Sequence, residues 1–382
     1  MHRIALGLVV LLLAIPAVHA QDKPGNQDQP VTPAEQYQAL LKEYQQALKA
    51  YQDASRNAKT PEEQRKVFEE QYPKRDKLAP KFVELAEKHP KDPVAIDALI
   101  WVLGDTSGAE GGQVSRARAL ELLVRDHIQN EKIGRACSSL GFSVDHQTET
   151  FLRAVMAKSP HKDVQAEACL ALAQTLNQRA DIAQVIRDNP EIAKQAEKFL
   201  GKGVLEEMNK TDMAKLELDS AKVFKELADK HVGALKPERL INLCERLGSR
   251  ATLGSRGQAG EAFLRTLLEK DSRHDVQGVA CLSLGQSLRK RADELAASDG
   301  KEAAKLQAEA EKILERAAEQ FGDVKSLRGT IANRAKTELF DLRHLAVGKP
   351  APEVEGEDQD GKKFKLSDYK GKVVLLDFWS QY

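Results

Sequence analysis

Apolar residues recur at spacings of three and four along most of this chain, and only its two ends break that rhythm. Over 164–176 the recurring positions are Val164, Ala168, Cys169, Leu172 and Leu176; over 276–288 they are Val276, Ala280, Cys281, Leu284 and Leu288. That period sets them on one face of a helix. Asp163 and Asp275 stand just before these runs and are expected as N-caps. The stretch 292–320 is rich in Ala, Glu and Lys and is expected to form a long, solvated helix. Residues 330–347, TIANRAKTELFDLRHLAV, read as one more helix.

The pattern is also duplicated. Residues 151–181 read FLRAVMAKSPHKDVQAEACLALAQTLNQRAD, and 263–293 read FLRTLLEKDSRHDVQGVACLSLGQSLRKRAD. About half of the aligned positions are identical, with no gap. The match extends weakly on both sides. Cys137 parallels Cys244, and Ala196-Glu197-Lys198-Phe199-Leu200 parallels Ala310-Glu311-Lys312-Ile313-Leu314. A fainter third copy starts near Phe82, and a partial echo starts at Leu314. A helix with one apolar face is stable only when neighbours cover it, so repeated units of this kind stack. The expected architecture is mainly α: an α-solenoid of tetratricopeptide-like helical repeats over 34–345, with the duplicated unit at about 137–200 and 244–314.

The N-terminus is different. Ile4 to Ile15 is an apolar run behind His2 and Arg3, too short to span a bilayer, and Val18-His19-Ala20 fits a small-x-small cleavage site. Residues 1–20 are therefore expected to be a signal peptide, with an uncleaved anchor as the alternative. Residues 21–33 are polar, rich in Pro and Gln, and expected to be a flexible linker. The mature chain is expected outside the cytoplasm, periplasmic or secreted, with no membrane attachment after cleavage.

Composition narrows the function. Lys+Arg and Asp+Glu are both 58, so the balanced charge argues against a nucleic-acid partner. Charged residues make up 30% and aromatics 5%, which suits long amphipathic helices. The four cysteines occupy two repeat positions twice, with no CxxC and no zinc spacing. They are small core residues at helix contacts or, alternatively, one disulfide per repeat: Cys137 with Cys169 and Cys244 with Cys281. The glycine-rich 104–112 lacks the Gly-Lys-Ser/Thr of a phosphate loop and reads as a connection between helices. No catalytic, cofactor-binding or metal-ligating residue is assigned in this chain.

At about residue 345 the character changes. Gly348, Pro350 and Pro352 end the helical pattern, Asp360-Gly361 reads as a hairpin turn, Leu366 to Gly371 as a short turn capped by Ser367 or Asp368, and Val373 to Phe378 as a strand buried on both faces. The order Gly348-Lys349-Pro350-Ala351-Pro352, Asp360-Gly361, Leu366 to Lys372, then an apolar strand closing on Phe378-Trp379 resembles the opening of redoxins of the AhpC/TSA and TlpA type. A leader and a long helical region ahead of it resemble exported TlpA-type proteins of planctomycete-like bacteria. The resemblance implies that 346–382 is the start of a thioredoxin-like α/β domain. It further implies an extracytoplasmic thiol–disulfide oxidoreductase or peroxide-directed antioxidant, with protein partners held by the helical repeats. In the family a cysteine pair follows the Phe-Trp element; here the chain reads Trp379-Ser380-Gln381-Tyr382. The chain is accordingly expected to stop before its active site and to be inactive alone, with 349–382 disordered or docked on the helices. The alternative is a non-enzymatic helical scaffold that binds a protein or peptide.

Overall fold

Thr32 opens the first helix through a reciprocal cap. Its hydroxyl accepts from the Glu35 amide and the Glu35 carboxylate accepts from the Thr32 amide, with Pro33 as the first helical residue. The same device, Thr60 with Glu63 and Pro61, opens the second helix. The computed structural model describes residues 31–104, 110–141, 143–189, 191, 202–249, 257–326, 328–345, 349–358 and 360–377. The expected signal peptide and most of the expected linker lie outside the described residues.

The protein is mainly helical. Helices α1 (Pro33–Asn57) and α2 (Pro61–Gln71) lead into α3 (Ala79–Lys88), α4 (Pro93–Val102), α5 (Glu110–His127), α6 (Ile133–Leu140), α7 (His146–Lys158) and α8 (Lys162–Asp188). Then follow α9 (Lys202–Lys210), α10 (Met213–Glu226), α11 (Pro237–Ser249), α12 (Gly257–Lys270), α13 (His274–Leu295), α14 (Gly300–Gln320) and α15 (Ile331–Phe340). Two-residue strands β1 (Lys325–Ser326) and β2 (Gly329–Thr330) join the last two helices.

Helices pack on their chain neighbours: α3 with α4, α7 with α8, α12 with α13, α14 with α15. They also pack on the helix two places further on. Thus α3 meets α5, α5 meets α7, α4 meets α6 and α6 meets α8; later α10 meets α12, α11 meets α13 and α13 meets α15. Contacts of α8 with α10 join the two series. Helices α3 to α8 and α10 to α15 are thereby covered along more than one line, and the buried side chains form one large core running from Leu78 to Leu342. A smaller cluster around Val144, Ala183, Ile186 and Met208 ties α9 to the end of α8.

The two copies of the duplicated unit are the pairs α7–α8 and α12–α13. Helices α8 and α13 are the central ones. From Val164 to Leu176 and from Val276 to Leu288 the apolar positions are buried, and intervening small residues such as Ala166, Ala171 and Ser283 are buried too. Alanine and glycine at these crossings let backbones approach. A Cβ on Gly285 would fall 2.7 Å from the Leu314 side chain of α14, so this contact requires glycine.

Several sequence expectations need correction. Asp163 and Asp275 are not N-caps: the caps of α8 and α13 lie two residues earlier, at His161 and Arg273, and the two carboxylates sit in the first turn, where they still favour the helix dipole. In the faint third copy an aspartate does cap the corresponding helix, Asp92 accepting from the Val94 amide at 2.9 Å. The charged stretch 292–320 is not one solvated helix. It breaks after Leu295, restarts at Asp299, whose side chain caps α14, and buries Ala303, Leu306, Ala310, Leu314 and Ala317. The glycine-rich connection is shorter than expected, because Glu110 to Gly112 already belong to α5; residues 105–109 lie outside the described residues.

At the N-terminal end aromatic contacts hold α1. Tyr37 meets Phe82 edge-on, Tyr44 meets Trp101 edge-on, and the Arg75 guanidinium stands over the Tyr44 and Trp101 rings at 5.4 and 4.9 Å.

Candidate functional site

The C-terminal segment is built around a tight turn. Strands β3 (Glu355–Glu357) and β4 (Lys363–Lys365) pair antiparallel, with Glu355 opposite Lys365 and Gly356 opposite Phe364. Gly361 takes φ +74°, the left-handed geometry that the Asp-Gly pair was expected to supply. Asp358 organises the turn: its carboxylate accepts from the Asp360 and Lys362 amides at 3.0 and 2.9 Å. Across the strands Lys365 pairs with Glu355 at 2.5 Å. The pairing runs on as the Leu366 amide donates to Val354, and the Ser367 amide donates to Glu353 at 3.0 Å. Those bonds from Ser367 hold the Glu353 carboxyl below its ordinary range.

The turn after β4 is a short 3₁₀ helix, Leu366–Tyr369; its cap position is Lys365, not Ser367 or Asp368, and Asp368 inside the turn accepts from the Lys365 amide at 2.9 Å. The expected strand beyond it departs from its reading. Residues 373–377 have no strand partner, and Val373 and Leu375 are 103% and 92% exposed. A strand of the doubly buried kind needs a neighbour on each side, and the described residues supply none here. The docked arrangement considered from sequence is therefore not what 373–377 adopt. Gly348, Phe378 and Trp379, which also carried the resemblance, lie outside the described residues.

No thiol sits in this segment. All four cysteines belong to the helices, are buried and are free, so the alternative of one disulfide per repeat is overturned. The Cys169 thiol points to the Val223 carbonyl at 3.8 Å, and its counterpart Cys281 to the Ile313 carbonyl at 3.4 Å. Burial pushes the Cys169 and Cys281 thiols up to about 12, and raises Cys137 and Cys244 as well. A thiol kept protonated at neutral pH is a poor nucleophile. These four are packing residues, in line with the first reading of them.

Elsewhere the helices offer polar chemistry without a reacting group. A cleft of roughly 150 Å³ opens between α8, α10 and α12, lined by Asn177, Ala180, Glu217, Ser220 and Gln258 among others. It presents amides, a hydroxyl and a carboxylate, but no thiol or histidine. Among the described residues no group of His, Cys, Asp and Glu could hold a metal ion. No described helix is long and apolar enough to cross a membrane.

A ladder of ion pairs crosses the series α4, α6, α8, α11, α13 and α15. Asp97 meets Lys132 at 2.6 Å, Glu167 meets Arg239 at 2.7 Å, Glu245 meets Arg334 at 2.8 Å, and Arg289 meets Glu338 at 2.8 Å. Each rung links different helices, so these charges fix helix positions. Two further pairs, Glu149 with Arg179 and Glu261 with Arg291, lie within the duplicated units. Sequence reading passed over them, although Arg-Ala-Asp repeated at 179–181 and 291–293 was their visible signal.

Residues 347–382 match the AhpC/TSA family, under a tenth of the 382-residue chain. No curated protein and no solved structure gives a significant match to the chain. The C-terminal segment is thus redoxin-like, and the helical body has no counterpart in those comparisons.

Proposed function

We propose that this chain serves extracytoplasmic thiol–disulfide chemistry as a TlpA-type redoxin, with an α-solenoid of tetratricopeptide-like repeats that holds protein partners. The observation that carries this reading is the coincidence of the AhpC/TSA match over 347–382 with a hairpin turned at Gly361. In redoxin chemistry a thiolate attacks a disulfide or a peroxide, and a second thiol resolves the product. The buried helical cysteines do not supply that thiolate. The helical body would contribute surface and position.

The test is to read the coding sequence beyond the Tyr382 codon, express its full product and assay insulin reduction. The expected result is a frame that runs into Cys-x-x-Cys and a product that reduces insulin, with activity abolished by Cys→Ser changes in that pair. A full product without a cysteine pair and without activity would overturn the redoxin reading. The stacked pairing of every second helix favours a second reading, a scaffold whose surface binds an extracytoplasmic protein. Stoichiometric capture of such a protein by a redox-inactive full product would support it.

A further inference from the structure

The same buried ion pair occurs in both copies of the duplicated unit, in different company. Glu149 in α7 meets Arg179 in α8 at 2.7 Å; Glu261 in α12 meets Arg291 in α13 at 2.5 Å. The four residues occupy matching positions of the two copies. Glu149 has a second arginine, Arg153, at 2.9 Å, and the His146 ring at 3.7 Å. The counterpart of Arg153 is Arg265, and it has turned away to Glu309 of α14 at 2.7 Å. Glu261 therefore keeps one arginine, supplemented only by the Ser287 hydroxyl at 3.3 Å. It also lies deeper, its side chain 6% exposed against 13% for Glu149.

The charges facing Glu261 are Arg291 from α13 and, on its own helix, Arg265, whose charge Glu309 shares. Among the described residues no charged group of α10 or α11 bonds to it. A second guanidinium further offsets the cost of keeping an ionised carboxylate away from water, and Glu261 lacks the bonded second arginine that Glu149 has. We propose that Glu261 is a proton-uptake site built into the second copy: on acidification it takes up a proton before Glu149 does, and the contact between α12 and α13 is kept while that between α7 and α8 loosens. The neutral acid still accepts from Arg291 through its carbonyl oxygen, so the contact survives protonation.

The electrostatics agree with the geometry. Burial raises Glu261 above the usual carboxylate range despite Arg291. Burial also pushes Glu149 up, but Arg153 and Arg179 outweigh it and leave that carboxyl lowered. A raised folded-state value means that Glu261 adds stability in acid and that this is lost as pH rises through that value. For Glu149 the sign is opposite: its contribution is present above the unfolded value and disappears as pH falls through the folded one.

Thermal unfolding of the full chain against pH tests the proposal, with Glu261→Gln as a fixed neutral mimic. At pH 7 Glu261→Gln is expected to keep or raise Tm, and its difference from the wild type to shrink towards pH 4. Glu149→Gln is expected to lower Tm at pH 7 by about 1–2 °C. Difference infrared spectra, wild type minus Glu261→Gln, are expected to show a carboxyl titrating above the ordinary glutamate range. Equal losses of Tm for the two variants at pH 7, or a Glu261 band titrating at or below that range, would overturn the proposal.

Discussion

The helical body and the C-terminal segment solve the same problem with unequal means. In the body the apolar faces of the central helices find neighbours: α8 and α13 are wrapped by helices before and after them in the chain, and Leu172 and Leu284 are wholly buried. In the segment a hairpin closes by local bonds alone, through Asp358, Gly361 and the Glu355–Lys365 pair, and the apolar residues that follow it face solvent. Local turn chemistry is enough to shape a hairpin, but a core needs surfaces contributed from elsewhere. The contrast separates what a short stretch can specify from what only packing can.

The sharpest way to break this comparison is to delete side chains in both regions. Leu172→Ala and Leu284→Ala are each expected to cost about 2–5 kcal/mol in denaturant unfolding, because each leaves a cavity in the core. Leu375→Ala is expected to change stability by less than about 0.5 kcal/mol, since its side chain has no contact to lose. A comparable loss at all three positions would mean that Leu375 is packed in solution.

Thiol accessibility sharpens the comparison further. In native buffer the four cysteines are expected to resist Ellman's reagent, and after guanidinium unfolding four thiols are expected to react without reductant. Fewer than four would reveal a disulfide. A lysine at an exposed apolar position asks a different question. Leu375→Lys is expected to lower self-association in sedimentation while leaving Tm unchanged, because an exposed apolar run is an aggregation hazard.

The smallest expected effect is a pH slope. His127 and His231 lie at the C-terminal ends of α5 and of the turn after α10, and burial lowers both below the ordinary imidazole value. The unfolded chain then binds protons more readily than the folded one. The stability tied to neutral imidazoles is present above the unfolded value and is lost as pH falls through the folded one. His127→Gln is expected to flatten the decline of Tm between pH 7 and pH 5, and an unchanged slope would remove His127 from this account.

Much of this was legible in the sequence for physical reasons. Helical periodicity and the duplication announced α7–α8 and α12–α13, because apolar spacing is set by the helix itself. Asp360-Gly361 announced the hairpin, because few residues adopt its backbone geometry. What stayed hidden depended on partners far along the chain. Nothing in 300–320 alone shows that Leu314 meets α13 at Gly285, and nothing around Glu261 shows that Arg265 has turned to Glu309. The N-cap reading of Asp163 and Asp275 failed by two residues, the distance at which helix ends are decided by local bonds and not by composition. In the candidate site the turn residues were readable, whereas the fate of Val373 to Leu376 depended on neighbouring strands that sequence periodicity cannot supply.

Hydrogen exchange of the full chain, read by mass spectrometry, tests the division between the two regions most directly. The account expects peptides from α8 and α13 to exchange only through large-scale opening, and peptides covering 371–377 to exchange at close to the free-chain rate. Protection over 371–377 as strong as in α13 would contradict it, and would mean that the apolar run has found a packed place that the helical body or a second copy provides.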